Sequence, residues 1–78
     1  MPWVAHERTS DVVEHTRNLD MITHDLTRTL ADKYGLYWGD LKAQDRGVMI
    51  RGAADGLRSG LDWDTAIHES VTAWHGAV

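Results

Sequence analysis

Apolar side chains recur at helical spacing along the first half of the chain. Val12, Leu19 and Leu26 are seven residues apart, and Ile22 falls between the last two. Residues three, four and seven positions apart share one face of an α-helix. Polar residues occupy most of the positions between them. The pattern predicts a first helix over residues 11–34.

Signals for both ends of this helix flank the apolar pattern. Asp11 and Glu14 form a D-x-x-E sequence, whose side chains can accept hydrogen bonds from free backbone N–H groups at a helix start. Gly35 directly follows Tyr34, and glycine readily adopts the left-handed conformation that ends many helices. Residues 1–10 are then predicted to form a short N-terminal tail.

A second apolar face follows in the second half of the chain. Its members are Ile50, Ala53, Ala54 and Leu57. They lie at i, i+3, i+4 and i+7, which predicts a helix over residues 42–58. The alternative is a strand over residues 48–51 that turns at Asp55 and Gly56. We favour the helix, because residues 57–60 contain no β-branched residue to support a second strand.

The third pattern begins after Gly60. Asp62 is a favourable N-cap, and an apolar stripe at helical spacing follows it. The stripe contains Trp63, Ala66, Ile67, Val71 and Trp74, with Ser70 among them. These features predict a helix over residues 63–75. Three amphipathic helices in 78 residues predict an all-α fold, a three-helix bundle that forms one domain over residues 1–78.

The predicted helices differ in length. At 1.5 Å per residue, the first is about 36 Å long, the second about 26 Å and the third about 20 Å. The two shorter helices cannot cover the whole apolar face of the first. Either Trp3 and Val4 fold back over the uncovered end, or this face meets a second copy of the chain in a homodimer. The residues of such a dimer seam are Val12, His15, Leu19, Ile22 and Leu26.

The chain contains no cysteine, which limits its chemistry. Disulfides and thiolate zinc sites are excluded. The first residues lack the basic flank and apolar run of a signal peptide, and no apolar stretch approaches the roughly 18 residues that a membrane-spanning helix needs. We therefore expect a soluble, cytoplasmic protein without membrane contact.

Acidic residues outnumber basic residues by twelve to eight, for a formal net charge of −4. The last nineteen residues contain no lysine or arginine. Because nucleic-acid-binding proteins usually present a basic face, this charge argues against that class. The alternative function is a helix-turn-helix DNA-binding regulator built from residues 43–75. Its phosphate contacts would come from Arg46, Arg51 and Arg58. The start of its recognition helix would bring Asp62 and Asp64 toward phosphates, and this repulsion disfavours the DNA-binding alternative.

Histidine is the next candidate for chemistry. The chain contains His6, His15, His24, His68 and His75. No two of them have the spacing of a zinc site, and the sequence after His68 lacks the second histidine of H-E-x-x-H. No serine or threonine stands in a recognisable nucleophile–base arrangement, and no glycine-rich phosphate loop is present. We expect no cofactor, no metal and no enzymatic activity.

Aromatic residues are the candidate binding groups. The chain has four tryptophans and two tyrosines but no phenylalanine, so tryptophan must supply much of the core volume. Trp38 and Trp63 are predicted to lie in the core. Trp3 and Trp74 lie near the chain ends, where partial exposure is an equal alternative. Together with His75 they are the predicted partner-binding residues, because tryptophan is enriched at interaction hot spots.

The run Trp38-Gly39-Asp40-Leu41 leads into a predicted helix that continues through Ile50, Ala54 and Leu57. It resembles a pattern in small helical accessory proteins of actinobacteria and their phages, in which Trp-x-x-Leu precedes a helix that opens with Pro-Glu-Glu-Arg. Here Ala43-Gln44-Asp45-Arg46 replaces that opening, without the proline. The resemblance implies a phage accessory protein that binds a host or phage protein, and it carries over no functional residue. We therefore predict a non-enzymatic protein-interaction module with an unidentified protein partner.

Overall fold

The computed structural model describes the backbone of residues 2–77 and the side chains of residues 18–77. Three α-helices account for most of the chain: α1 over Pro2–Tyr34, α2 over Ala43–Arg58 and α3 over Trp63–Ala77. A short 3₁₀ helix over Trp38–Asp40 lies in the connection between α1 and α2. Within residues 2–77 there is no strand, so the predicted all-α three-helix bundle is confirmed and the strand over residues 48–51 is wrong.

The first helix begins earlier than the sequence pattern indicates. It starts at Pro2 rather than at residue 11, so the predicted tail is part of α1 and Asp11 lies inside the helix instead of capping it. Proline is favourable at the first helical position, because its missing N–H would have no partner there. No glycine or proline interrupts residues 3–34. Of the two alternatives for the long first helix, the fold-back of Trp3 and Val4 is wrong, since both positions continue α1.

The other helix ends agree closely with the sequence. Gly35 has a φ of +65°, and its N–H donates to the Ala31 carbonyl at 2.9 Å. This bond, from the first residue after the helix to the carbonyl four residues before it, is that of an αL helix end. The Leu36 N–H also donates to the Leu30 carbonyl at 3.4 Å. The predicted left-handed stop at Gly35 is confirmed. The helix α2 starts one residue later than predicted, and α3 ends two residues later.

The core lies where all three helices meet. Its buried apolar members are Ile22, Leu26, Leu30, Met49, Ala53, Ile67, Val71 and Trp74. The rings of Trp38 and Trp63 are half-buried and pack against this cluster. The core is therefore formed by the C-terminal half of α1 together with α2 and α3.

Small residues let α2 and α3 approach closely. A Cβ atom on Gly52 would lie 2.9 Å from the Ser70 Oγ, and a Cβ on Gly56 would lie 3.3 Å from the Ala66 Cβ. The buried Ser70 hydroxyl donates a hydrogen bond to the Met49 carbonyl at 2.6 Å. This bond ties α3 to α2 inside the core.

The helix α1 is much longer than its neighbours. Its 33 residues span about 50 Å, whereas α2 and α3 span about 24 Å and 22 Å. The end of α2 lies level with Asn18 and Leu19, because Leu57 and Arg58 line one cleft with them. The segment of α1 before this level, residues 2–17, is here called the arm. The arm extends beyond the ends of both shorter helices.

Over the described residues, no helix combines the length and the apolar character needed to cross a bilayer.

Candidate protein-interaction surface

The predicted partner-binding aromatic residues do not form one exposed patch. Trp74 is only 8% exposed and belongs to the core, so the expectation of partial exposure is wrong. The stripe that carries it faces α1 and α2, which explains this burial. Its indole Nε1 has no hydrogen-bond partner among the described residues. The side chain of Trp3 lies outside the described residues.

His75 is exposed but is held against the end of α1. Its imidazole stacks on the Tyr34 ring with 3.7 Å between ring centroids and 6° between planes. Next to this stack, the Lys33 Nζ donates to the Thr72 Oγ1 at 3.0 Å. These contacts join the C-terminal ends of α1 and α3.

The residues of the predicted dimer seam do not share one exposed surface. Ile22 and Leu26 are 2% and 0% exposed because they pack inside the chain's own core, so their assignment to a seam is wrong. Leu19 is half-buried at the level where the arm leaves the bundle. The side chains of Val12 and His15 lie outside the described residues.

The three arginines of the DNA-binding alternative are not gathered on one surface. The half-buried Arg46 donates to the Leu41 carbonyl at 3.1 Å. Arg58 forms an exposed ion pair with Asp55 at 2.9 Å, and Arg51 is exposed. Five positions separate Arg46 from Arg51, which places them about 140° apart around α2. Arg46 therefore stabilises the start of α2 rather than extending a basic surface.

A groove between α1 and α3 brings together polar side chains that the sequence pattern assigns only to solvent-facing positions. Its volume is about 330 Å³. It is lined by Asp25, Arg28, Thr29, Asp32, Asp64, Ile67 and His68. The four positions on α1 and the three on α3 each follow i, i+3 and i+4 spacing, so each set occupies one helix face. We call this surface the α1–α3 groove.

Carboxylates dominate the α1–α3 groove. Asp25 is half-buried, and its Oδ2 accepts a hydrogen bond of 2.5 Å from the Trp63 Nε1. Asp32 and Asp64 are exposed, and the buried Ile67 provides an apolar surface between the helices. Among residues 18–77 the single ion pair is Arg58–Asp55, so no groove carboxylate is neutralised by a neighbour there. Three negative groups thus face one opening beside a single arginine.

The acidic character continues along the outer face of α3. An adjoining open groove is lined by His68, Glu69, Thr72 and Ala73, and shares His68 with the α1–α3 groove. No group of three or more His, Asp or Glu side chains in the described part of the chain could hold a metal ion. Glu69 thus adds one carboxylate on the outer face of α3, next to the α1–α3 groove.

A smaller cleft lies where the arm leaves the bundle. Its volume is about 130 Å³, and its lining is Asn18, Leu19, Ile22, Ala54, Leu57 and Arg58. We call it the junction cleft. Leu61, in the turn between α2 and α3, is 37% exposed. The Leu61 Cδ1 lies close to Gly56, so this side chain belongs to the same end of α2.

Comparisons of this chain with protein-family models, with curated proteins and with solved structures find no match.

Proposed function

We propose that this protein is a non-enzymatic protein-interaction module that binds a basic segment of a partner protein in the α1–α3 groove. The observation that carries the proposal is the groove's charge. Asp25, Asp32 and Asp64 come from two helices, surround the buried Ile67, and have no ion-pair partner among residues 18–77. A lysine or arginine side chain supplies the missing positive charge and lays its aliphatic part on the apolar surface.

A protein partner fits this surface better than a nucleic acid. Phosphates would be repelled by the groove carboxylates and by Glu69 on the outer face of α3. The whole of α3 contains no lysine or arginine. Two of the candidate phosphate-binding arginines already contact groups of their own chain. The DNA-binding alternative therefore has less support.

The groove can also select the geometry of the bound cation. The Trp63 indole donates to one oxygen of Asp25, which fixes that carboxylate and leaves a lone pair on each of its two oxygens for a further donor. A guanidinium group can bind a fixed carboxylate with two parallel hydrogen bonds, whereas an ammonium group cannot. The neighbouring Arg28 repels a second cation on its side. We therefore expect arginine to be preferred over lysine next to Asp25.

The affinity of such contacts is modest and depends on salt. An exposed ion pair contributes about 0.2–1 kcal/mol, so several are needed for micromolar binding. Ions screen exposed charges over about 8–10 Å at physiological strength. A partner segment with several basic residues, bound in the groove and along the outer face of α3, satisfies these requirements.

Selection from a random peptide library tests the proposal while the partner is still unidentified. The full chain is immobilised, and peptides are selected at low salt. We expect enrichment of arginine and lysine. The Asp32→Asn, Asp64→Asn double variant should bind the selected peptides about tenfold more weakly, because two charge contacts of up to about 1 kcal/mol are lost.

A matched control separates groove binding from general attraction. The Asp20→Asn, Asp40→Asn double variant also removes two negative charges, at exposed positions outside the groove. It should bind the peptides nearly as well as the natural chain. Equal loss in both variants, or selected peptides without basic enrichment, would show that the groove is not the binding site. That the partner is a host or phage protein, as the resemblance implies, remains a prediction.

A further inference from the structure

We infer, on the basis of the proposed function, that the partner segment in the α1–α3 groove is a helix that presents one acidic side chain between two basic ones. In this groove an arginine separates two acidic ends. A segment that is basic throughout would meet repulsion at the centre, whereas a basic–acidic–basic order meets none. The arginine, Arg28, is then the residue that determines specificity.

Contacts at two levels show how α3 lies along α1. The Trp63 indole donates to Asp25, and the Lys33 Nζ donates to Thr72. The two contacts are eight positions apart on α1 and nine apart on α3, so the helices run in the same direction with nearly the same rise. Asp64 directly follows Trp63 and therefore lies at the level of Asp25.

Acidic side chains occupy the two ends of the groove. Asp25 and Asp64 lie at one end, on opposite helices. Asp32 lies at the other end, at a distance of about 10 Å along α1 from the level of Asp25. Asp25 and Asp32 share one helix face, because seven positions are nearly two turns. A ligand that neutralises both ends therefore needs two basic groups about 10 Å apart.

The middle of the groove has the opposite character. Arg28 lies about 4.5 Å along the axis from Asp25 and about 6 Å from Asp32. Among residues 18–77, neither of these carboxylates forms an ion pair with it. Thr29 lies beside Arg28, and His68 lies across the groove at about the same level. All three side chains can donate hydrogen bonds, and the guanidinium is cationic, so this position favours a carboxylate in the ligand.

The spacing of these charges matches a helix better than an extended segment. A helix bound alongside α1 repeats the steps of about 4.5 and 6 Å at positions i, i+3 or i+4, and i+7. In an extended segment, side chains on one face recur about every 6.7 Å, so three of them span about 13 Å and exceed the distance between the acidic ends. A partner helix with arginine at i and i+7 and glutamate between them places each charge next to its complement.

Two helical peptides that differ at one position test this order of charges. Both contain alanine, glutamine and arginines at i and i+7, and position i+4 is glutamate in one and lysine in the other. Fluorescence anisotropy at low salt measures their affinity for the full chain. The natural chain should bind the glutamate peptide at least about threefold more tightly, although its net charge of −4 favours the more basic peptide. Arg28→Glu should reverse this preference, again by at least about threefold.

Arg51→Glu is the matched control for this reversal. It makes the same charge change at an exposed position of α2 outside the groove. It should tighten the binding of both peptides and leave the ratio of their affinities within about twofold of the natural value. A third peptide has the composition of the glutamate peptide, but its arginines are at i and i+5, about 140° apart around the helix. It should bind the natural chain at least about threefold more weakly than the glutamate peptide.

The outcomes distinguish failure of the charge order from failure of the proposed function. If none of the three peptides binds, both fail. If the peptides bind, but Arg28→Glu changes the ratio of the two affinities no more than Arg51→Glu does, the inferred charge order is overturned and a basic partner segment remains supported. Equal affinity for the peptides with i+7 and i+5 spacing would overturn the helical geometry.

Discussion

Gly52 and Ser70 lie at the closest approach of α2 and α3. The Ser70 hydroxyl is buried and donates to the Met49 carbonyl, so its oxygen cannot move away without losing that bond. A side chain at residue 52 would come within 2.9 Å of this oxygen. Glycine at this position is therefore required by the tertiary contact, although it is unfavourable for the helix itself.

This contact predicts opposite effects for two glycine substitutions in α2. Gly52→Ala should destabilise the fold by about 1–2 kcal/mol, because the overpacked contact outweighs the gain in helix propensity. Gly47→Ala should stabilise it by about 0.5–1 kcal/mol, because a Cβ there meets no atom within 4 Å. Urea unfolding followed by far-UV circular dichroism measures both. Equal stabilisation by the two alanines would contradict the close approach.

The surroundings of single residues are also the feature that the sequence predicts least well. The sequence leaves Trp74 as a candidate for an exposed binding residue, yet it is buried. Helical spacing assigns Asp25 only to a polar face, yet it accepts a bond from Trp63, 38 residues along the chain. Such spacing identifies the face that a residue occupies, but not the neighbour opposite that face. The α1–α3 groove escapes prediction for this reason, although its i, i+3, i+4 polar spacing on both helices is present in the sequence.

The ends of the helices agree with short-range sequence patterns better than the surroundings of single side chains do. The third helix begins after Asp62, as its N-cap pattern predicts. The Thr65 backbone N–H donates to the Asp62 Oδ2 at 3.3 Å. Hydrogen bonds from the Thr65 side chain and backbone lower the pKa of the Asp62 carboxyl below its ordinary value. The charged form of Asp62 is thus favoured in the folded protein.

This lowered pKa predicts how the cap responds to acid. A carboxyl with a lower pKa in the folded state contributes stability above its unfolded pKa, and that contribution is lost as the pH falls through the folded value. Asp62→Asn keeps a capping oxygen but does not titrate. The urea midpoint of the natural protein minus that of the variant should stay constant from about pH 7 to 5. Below about pH 4 this difference should decrease, because the natural protein loses the contribution of its charged cap. A difference between the two urea midpoints that stays the same at every pH would contradict the lowered pKa of Asp62.

The start of α1 shows the limit of local signals at the scale of an element. A D-x-x-E sequence is typical of helix starts, but its residues are equally compatible with a helix interior. The favourable Pro2 and the absence of glycine and proline over residues 3–34 are consistent with one continuous helix. At the other end, the stop at Gly35 is predicted correctly, because glycine readily adopts the positive φ with which its N–H donates to the Ala31 carbonyl.

At the scale of the whole molecule, the length of α1 relative to α2 and α3 is the main feature. The chain extends 49 Å along its longest axis but only 25 Å and 18 Å along the others. The two shorter helices, α2 and α3, are each less than half as long as α1.

The sequence by itself determined that three α-helices form, the stop at Gly35 and the cap at Asp62. These depend on periodicity and on hydrogen bonds between residues at most a few positions apart, which a sequence displays directly. The tertiary structure alone decided that Trp74 is buried, that Ile22 and Leu26 serve the chain's own core, and that Asp25 and Asp64 share one groove. Those outcomes depend on how the helices pack against one another, because that packing brings together side chains tens of residues apart.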